Sequence, residues 1–369
     1  MNSLILDAND TATIATAGAL LQQGRLVVLP SETVYGIALN LRFSEARNRV
    51  KNIKHLSGQP GWVIHVARPA DVLTYIPDAS PLARRVMTKG WPGPIALQFA
   101  VTPNQIAHLE AILGDALPET IVDGHVTFRC PESYITQEIL ASVSDPVAII
   151  AATAPGEPAV MEATAVSSAI ADQMDAIVDA GPTRYSKTST LVRIGGEKLM
   201  VIRPGLIDAR IIERLADQLI LFVCSGNTCR SPMAAGIAAR LLADKFGLQP
   251  KELSRKHIVV QSAGLHAGHG MRAAAEAVDA VRDMKVDLRA HSSQPVTRDL
   301  LRRADVIYTM TDSQRDEILE TLPGLQHKTT RLDPQADIED PIGSDLETYR
   351  QVAQHLSELL AKRLMELPL

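Results

Sequence analysis

Aromatic residues, cysteines and long apolar runs are all scarce in this chain. Aromatic side chains make up 4% of 369 residues, so the hydrophobic cores must be built mainly from Leu, Ile, Val and Ala. Three cysteines are too few for a disulfide framework at this length, which favours a reducing compartment. The sequence has no apolar run of about eighteen residues and no signal-peptide pattern at its start. We therefore expect a cytoplasmic protein that does not associate with a membrane.

An excess of positive charge is also missing. The formal net charge is −5, whereas proteins that bind nucleic acid tightly usually have an excess of basic residues or a stripe of them on the surface. This balance argues against tight binding to RNA or DNA. The contents of hydrophobic residues, 46%, and charged residues, 21%, are typical of a folded protein, and the length predicts two domains.

Short apolar runs, typical of strands, alternate with helical patterns along the chain. In the first part, the predicted strands lie at 25–30, 61–66, 94–101, 146–152, 176–181, 189–194 and 198–204, and the helices at 43–56, 80–90 and 164–174. In the last part, the predicted strands lie at 219–224, 257–264 and 305–310, and the helices at 231–246, 270–284 and 346–367. We predict an α/β fold with a twisted-sheet domain over 1–207, a helical linker over 208–217 and a doubly wound parallel sheet over 218–369.

One short segment joins a strand end, a glycine-containing loop and a helix start. After the strand come Cys224, Ser225, Gly226, Asn227, Thr228, Cys229, Arg230 and Ser231, and Pro232 takes the favoured first helical position. The backbone N–H groups of 225–229 can converge on one phosphoryl group, assisted by the helix dipole. Arg230 adds a planar guanidinium that binds two phosphate oxygens. We therefore predict a phosphate-binding loop formed by Ser225, Gly226, Asn227, Thr228 and Cys229.

The same surroundings can make Cys224 a nucleophile. A free thiol has a pKa of roughly 8.5, and a helix N-terminus beside a cation lowers it to about 3.5 to 7.5. We predict a thiolate at neutral pH, with Ser231 bonded to the sulfur and Asn227 holding the loop in shape. The alternative is an inert buried cysteine with a solvated Arg230, but Gly, Asn and Ser-Pro at these positions argue against it.

Such a nucleophile needs a general acid, which later activates water. Asp340 precedes a proline in a loop before the last helix, and Asp333 precedes a proline in the same stretch. Both remain candidates on the residues alone. His266, His269 and His291 lack the spacing of a zinc site, so we expect no metal and no other cofactor.

Residues 219–369 resemble the low-molecular-weight protein phosphatase family. The matching motifs are VCSGNTCRSPMA at 223–234, SAGLHA at 262–267, ADVIYTMT at 304–311 and DPIG at 340–343. The resemblance implies that Cys224 forms a phosphocysteine, that Arg230 binds the phosphate and that Ser231 partners the thiolate. It also implies Asp340 as the general acid in preference to Asp333, and phosphorylated proteins as substrates.

Two positions bear on which side chain is dephosphorylated. The threonine at position 228 resembles the residue that protein-arginine phosphatases have at this position. Phosphotyrosine enzymes of the family usually have a bulkier aliphatic residue there. Ile342 and Gly343 stand where tyrosine-specific members commonly have aromatic residues. Phosphoarginine is therefore the favoured substrate, with phosphotyrosine and then arsenate reduction as alternatives. Cys229 either forms a protective disulfide with Cys224, as the resemblance suggests, or shapes the loop as a small buried residue.

Residues 10–207 resemble the threonylcarbamoyl-adenylate synthase family, which uses ATP, threonine and bicarbonate for tRNA modification. The matches are PSETVYG at 30–36, WPGP at 91–94, FRCP at 128–131, TST at 188–190 and IRPG at 202–205. The resemblance implies ligand-binding roles for Thr33, Lys54, Arg129, Ser189 and Arg203.

Two parts of that family pattern are missing. Leu56 replaces an Arg in a Lys-x-Arg motif, and residues 151–153 read Ala-Ala-Thr in place of Ser-x-Asn. Neither Leu nor Ala can donate a comparable side-chain hydrogen bond to phosphate or nucleotide. The domain is therefore either a synthase with rearranged contacts or a degenerate module that binds a ligand such as a nucleotide, a partner or the phosphatase domain itself, and we favour the second. Arg129 and Arg203 could also simply satisfy buried carbonyls or acidic groups.

Overall fold

The computed structural model describes residues 3–56, 58–196 and 198–367. These residues form two compact units that adjoin along the chain at Ala216 and Asp217, called here the N-terminal and C-terminal units. Among the helices of these ranges, none combines the length and apolar character that a bilayer crossing requires.

The N-terminal unit is built on one large mixed sheet. Its strands are β1 Leu4–Asp7, β2 Val27–Leu29, β3 Gly36–Asn40, β4 Val63–His65, β5 Ile95–Ala100, β6 His125–Arg129, β7 Val147–Ala151, β8 Ala176–Asp179, β9 Thr190–Gly195 and β10 Lys198–Arg203. Within the described residues they lie in the order β1-β8-β2-β3-β7-β4-β6-β5-β9-β10. The sheet contains both parallel pairs, such as β4 with β6, and antiparallel pairs, such as β5 with β6.

Helices cover both faces of this sheet. They are α1 Ala12–Gln22, α2 Ser44–Ile53, α3 Pro81–Gly90, α4 Pro103–Leu113, α5 Leu117–Thr120, α6 Tyr134–Ala141, α7 Ser168–Ala171 and α8 Ala209–Ala216. Because successive strand side chains point to opposite faces, Val28 packs into the core cluster that includes α2, α3 and α4. Val27 and Leu29 instead pack with α1 and α6.

The predicted linker 208–217 contains helix α8. Ile212 and Ala216 of this helix are buried in the same core cluster as α3, and Arg85 of α3 donates to the Ala216 carbonyl at 2.7 Å. The helix is therefore packed within the N-terminal unit. The predicted strands of this unit are all present, and β1, β3 and β6 are additional strands that the apolar runs did not indicate.

The C-terminal unit has a parallel sheet, as predicted. Its strands, within the described residues, are β11 Gln218–Cys224, β12 Ile258–Gly264, β13 Val306–Thr309 and β14 Thr329–Arg331, in the order β12-β11-β13-β14. Its helices are α9 Arg230–Phe246, α10 Ala275–Ala280, α11 Arg298–Arg303, α12 Asp312–Thr321 and α13 Leu346–Arg363. Apolar residues spaced three or four apart on α13, including Tyr349, Val352 and Leu356, pack in the core that also contains α9.

Strand register brings the loops of this unit together. Cys224 at the end of β11 lies opposite Gly264 at the end of β12, and Val223 lies opposite Thr309 of β13. The loops after these strands therefore meet at the carboxyl edge of the sheet, where parallel α/β folds place their ligands.

The helix predicted over 270–284 is wrong in its first part. The helix α10 begins only at Ala275. Gly270 has a φ of 83°, and the N–H groups of Met271 and Ala274 are bonded to the Ser293 hydroxyl and to the Thr228 carbonyl. Tertiary hydrogen bonds therefore hold residues 270–274 as a loop beside the Cys224 loop.

Candidate active site

The loop between β11 and α9 turns through a left-handed residue. Asn227 has a φ of 55°, a conformation that Asn tolerates better than most residues. Its N–H consequently turns inward and donates to the Cys224 sulfur at 3.2 Å. The backbone of the loop is thus directed toward the sulfur.

The Asn227 side chain and carbonyl hold this turn. Its amide nitrogen Nδ2 donates to the hydroxyls of Ser231 and Ser262, each at 2.9 Å. Its Oδ1 accepts from the Gln294 N–H at 2.9 Å, and its carbonyl is 2.7 Å from His291 Nε2. Every polar atom of a buried side chain is therefore satisfied, which makes the turn rigid. Sequence reasoning missed Ser262, His291 and Gln294, and the only signal was Ser262 at the start of SAGLHA.

Cys224 lies at the centre of this network. Its sulfur is 3.0 Å from the Ser231 hydroxyl oxygen, as well as within reach of the Asn227 N–H. The residue is buried, and all three cysteines of the chain, including Cys130, carry free thiols. The sulfur therefore accepts one backbone hydrogen bond and contacts one hydroxyl group.

Arg230 and Asp340 form an ion pair beside the sulfur loop. The Arg230 guanidinium is 6% exposed, and its Nη2 contacts the Asp340 carboxylate, which is 41% exposed. Its Nη1 donates to the Ile338 carbonyl at 3.0 Å. The structure thus brings Asp340 to the same guanidinium that is predicted to bind phosphate.

Asp333 has different surroundings. Its carboxylate accepts from the Gln335 N–H at 2.8 Å and lies 3.0 Å from His355 Nε2. Burial raises the pKa of Asp333, but these hydrogen bonds more than offset burial, so the pKa lies below the usual value. The Asp333 side chain is only 10% exposed, whereas that of Asp340 is 41% exposed, so Asp333 is less accessible to a substrate.

Cys229 and Thr228 are adjacent in the loop but differ in burial. The Cys229 sulfur is buried and lies 3.2 Å from the hydroxyl oxygen of Tyr349 on α13. Burial, followed by this contact with Cys229, raises the pKa of Tyr349. Thr228 is only half-buried, and Ile342, beyond Asp340, is 70% exposed. Two small or aliphatic side chains therefore flank the site.

The N-terminal unit contains a cavity of about 430 Å³. Four of the five predicted ligand residues line it, namely Thr33, Arg129, Ser189 and Arg203. The ends of strands β6, β9 and β10 and the loop before β3 carry these residues, so a single cavity collects motifs that are far apart in sequence.

Two guanidinium groups give this cavity a positive character. Arg129 donates to the Glu32 carboxylate at 2.6 Å and to the Thr33 hydroxyl at 2.8 Å, while its buried Nε has no partner among the described residues. Arg203 donates to the Ser189 carbonyl at 3.3 Å. Burial, and then the neighbouring Arg129, lowers the pKa of Arg203. The two guanidinium groups carry two positive charges and Glu32 carries one negative charge. The net positive charge makes the cavity suited to an anion.

Lys54 does not line the cavity. Its ammonium group donates to the carbonyl of Ala151 at 3.0 Å and also to that of Thr153, and burial lowers its pKa. These carbonyls belong to the stretch where Ser-x-Asn is missing. Lys54 therefore binds the backbone at the position where the family pattern would place nucleotide contacts.

His65 is a cavity residue that sequence reasoning missed. It ends β4, is 8% exposed and has its Nδ1 3.0 Å from the Val63 carbonyl oxygen. Burial, and then the charge of Arg129, lowers its pKa to about 3, so the ring is neutral. A single His inside an apolar run gave no signal.

Comparisons with known proteins match the two units to two different families. The Sua5_yciO_yrdC family, described as Telomere recombination, matches residues 19–205, and the family described as Low molecular weight phosphotyrosine protein phosphatase matches residues 219–368. The protein-arginine-phosphatase of Bacillus subtilis is 33% identical over 146 residues, which are 38% of this chain and 91% of that protein.

The relatives of the N-terminal unit are matched less completely. The threonylcarbamoyl-AMP synthase of Bacillus subtilis is 29% identical over 213 residues, and the chain spans only 57% of that protein's length while 56% of this chain is covered. A solved structure of P. abyssi Sua5 is similar with a TM-score of 0.50 and 20% identity, over 66% of this chain and 76% of that one, and shows the fold alone. The predicted α/β fold is confirmed. The chain belongs to the Sua5_yciO_yrdC family and to the low molecular weight phosphotyrosine protein phosphatase family, and it is a hydrolase of phosphoester or phosphoamide bonds.

Proposed function

We propose that the C-terminal unit dephosphorylates phosphoarginine in proteins through a phosphocysteine intermediate. The observation that carries the proposal is the position of the Cys224 sulfur, 3.0 Å from the Ser231 hydroxyl and 3.2 Å from the Asn227 amide, beside the Arg230–Asp340 pair. One site thereby contains a nucleophile, hydrogen-bond donors for its anion, an arginine that can bind phosphate, and a carboxyl group.

The reaction follows from these groups in two steps. In the first, the bound phosphoryl group takes the place of Asp340 on Arg230, the Cys224 sulfur attacks phosphorus while the P–N bond breaks, and the departing guanidino nitrogen takes a proton from the protonated Asp340 carboxyl group. Arg230 and the loop N–H groups bind the phosphoryl oxygens throughout. In the second, the Asp340 carboxylate takes a proton from water, the water oxygen attacks phosphorus and the S–P bond breaks. The products are orthophosphate and the original thiolate.

The choice of arginine as leaving group rests on the residues after Asp340-Pro341, which are Ile342 and Gly343 and not aromatic residues. A phenol ring would gain little from these two residues, whereas the small polar side chain of Thr228 favours a planar guanidinium. The B. subtilis and Geobacillus stearothermophilus relatives that bear the name protein-arginine-phosphatase support the same choice. Phosphotyrosine is the alternative.

The test is a side-by-side rate measurement on phosphoarginine-containing and phosphotyrosine-containing peptides, with Cys224→Ser as the blank. We expect a strong preference for phosphoarginine that the substitution abolishes. A preference for phosphotyrosine would retain the mechanism and contradict the assigned specificity. Hydrolysis that survives in Cys224→Ser would contradict the cysteine mechanism.

For the N-terminal unit we propose a binding module that takes an anionic ligand, such as a nucleotide, without synthase turnover. The support is the cavity lined by Arg129 and Arg203, where Glu32 is the carboxylate that pairs with Arg129. Lys54, held by backbone carbonyls, and Leu56 argue against adenylate transfer. Because the synthase relative is matched over only 57% of its length, its whole activity does not follow for this chain.

This second proposal is tested with ATP, threonine and bicarbonate. Isothermal titration of the full chain with ATP should give binding, and incubation of all three compounds should give no threonylcarbamoyl-adenylate. Formation of that product would restore the synthase interpretation. Arg203→Ala should weaken the binding of ATP if the cavity holds it.

A further inference from the structure

One glutamine connects helix α12 to the catalytic loop. Gln314 is 4% exposed and lies in the first turn of α12. Its Oε1 accepts from the N–H groups of Met310 and Thr311, at 3.0 and 3.2 Å. Its Nε2 donates to the hydroxyl of Ser225 at 3.1 Å. The side chain thus joins the N-terminus of a helix to the residue that follows the nucleophile.

The direction of this amide is determined by its partners. A backbone N–H can only donate, so the atom that faces Met310 and Thr311 has to be the amide oxygen. The NH₂ group must then face Ser225. The Ser225 oxygen consequently accepts a hydrogen bond, and its own O–H proton has to point elsewhere.

The Ser225 proton has no acceptor within the part of the chain that the structure describes. Its carbonyl is already bound by the His266 N–H at 2.9 Å, so the backbone on both sides of the hydroxyl is fixed. The side chain is half-buried at the first position after Cys224. The Ser225 oxygen accepts one hydrogen bond, and its O–H group can still donate one to an anion.

We propose that Gln314 is a positioning residue that turns the Ser225 hydroxyl into a donor for the bound phosphoryl group. The Ser225 side chain thereby adds one hydrogen bond to those from the loop backbone and Arg230. This inference rests on the proposed phosphatase site. It concerns the phosphoryl oxygens and not the leaving group, so it applies equally to phosphoarginine and phosphotyrosine.

The sharpest variant is Gln314→Glu. The carboxylate retains an oxygen for the Met310 and Thr311 N–H groups, but the atom that faces Ser225 changes from a donor to an acceptor. The Ser225 O–H then turns toward the carboxylate and is lost to the phosphoryl group. Since hydrogen bonds to charged groups are stronger than those between neutral groups, the inhibition constant of orthophosphate should rise about tenfold to a hundredfold.

Further variants separate positioning from charge and from folding. Ser225→Ala should raise the inhibition constant to a similar extent, and Gln314→Glu added to Ser225→Ala should have no further effect. Ser225→Thr, which keeps the hydroxyl, should retain most of the affinity. Ser313→Glu places a carboxylate on the exposed neighbouring residue and serves as the charge control, with orthophosphate inhibition expected to stay near that of the wild type.

The outcome is read from orthophosphate inhibition and from kcat/KM on both phosphopeptides, with the melting temperature of each variant as a check on folding. Equal fold losses on both peptides, together with non-additivity at 225 and 314, support the inference. Independent, additive losses, or wild-type inhibition in Ser225→Ala, overturn it while leaving the phosphatase proposal intact. A wild-type protein that neither hydrolyses the peptides nor binds orthophosphate overturns both.

Discussion

Asp340 and Asp333 both precede a proline in one loop, but their carboxylates are suited to different tasks. Asp340 is exposed enough to meet a substrate and touches Arg230, whereas Asp333 is tied to the chain and to His355. We predict that Asp340→Asn lowers kcat about 10²-fold to 10⁴-fold on phosphoarginine peptides, because the proton donor is lost. Steady-state kinetics at neutral pH measures this loss.

The matched control is Asp333→Asn. It should retain kcat in the folded protein, since the proposed role of Asp333 is to hold the backbone at Gln335. A larger loss of kcat in Asp333→Asn than in Asp340→Asn would reverse the assignment of the general acid.

Thr228 is the residue on which the choice between arginine and tyrosine depends most. We predict that Thr228→Ile lowers kcat/KM for phosphoarginine peptides about tenfold or more, because a branched aliphatic side chain would crowd the guanidinium and remove a hydroxyl. Activity on phosphotyrosine should be retained or increased. The ratio of the two kcat/KM values is the measurement, and an equal loss on both substrates would contradict the proposed role.

His65 makes the stability of the N-terminal unit sensitive to acid. Its pKa is about 3 in the folded chain and about 6.5 when exposed, so the unfolded state binds more protons between these values. The free energy of unfolding should therefore fall as the pH drops from about 6.5 toward 3, by at most about 1.4 kcal/mol per pH unit from this residue.

Denaturant unfolding between pH 4 and pH 7 checks this effect. His65→Gln cannot take up a proton and should give a shallower pH dependence than the wild type. His125 in strand β6 offers a control, since it also lines the cavity but is only half-buried. An unchanged slope in His65→Gln would contradict the explanation.

At the scale of elements, apolar runs bounded by Pro or Gly were sufficient to predict most strands and the parallel sheet of the C-terminal unit. Strand β3 was missed because it begins at Gly36, the last residue of the motif PSETVYG, and continues without a turn signal of its own. The loop 270–274 was wrongly predicted as helical because its hydrogen-bond partners, Thr228 and Ser293, are distant in sequence. Local pattern reasoning has no access to such partners.

The residues of the candidate active site also differ in how far the sequence predicts them. Cys224, Arg230 and Ser231 follow one another in a short loop, so their proximity is predictable from the chain itself. Asp340 needed the family resemblance to be preferred. His291 and Gln294 contact the loop only through the fold, and their residue types alone do not distinguish them from ordinary surface side chains.

Helix α8 offers a test of what the N-terminal unit needs for stability. Ile212 is 1% exposed, whereas its neighbour Ile211 is 43% exposed on the same helix. We predict that Ile212→Ala lowers the free energy of unfolding of this unit by about 2 to 5 kcal/mol, because a buried side chain leaves a cavity.

Ile211→Ala is the matched control and should change the free energy of unfolding by less than about 1 kcal/mol. Chemical denaturation followed by tryptophan fluorescence measures both variants. Equal effects of the two substitutions would mean that α8 does not pack as described.

For the molecule as a whole, the two tryptophans distinguish the units spectroscopically. Trp62 and Trp91 are both buried in the N-terminal unit, so their fluorescence does not report directly on the C-terminal unit. We predict that orthophosphate at about 100 times its dissociation constant stabilises the C-terminal unit by about 2.7 kcal/mol and leaves the tryptophan transition in place. Thermal melts followed in parallel by circular dichroism and by fluorescence provide the measurement.

Arg230→Ala is the control for this experiment, since it should abolish the shift in circular dichroism. A tryptophan transition that moves with orthophosphate would indicate either phosphate binding in the N-terminal cavity or unfolding of both units as one. Repeating the melt with Arg203→Ala separates these two explanations.

The pairing of Arg230 with Asp340 also affects how the site responds to ordinary ions. Any free anion must displace a carboxylate that is tethered to the same chain and therefore competes at a high effective concentration. A simple ion such as chloride, with one charge and few hydrogen bonds, gains little from that exchange. Under the proposed mechanism a phosphoryl group would also bind the loop amides, so we expect it to gain enough to displace the carboxylate. We therefore expect the ion pair to select against small singly charged anions and to open for a phosphorylated side chain.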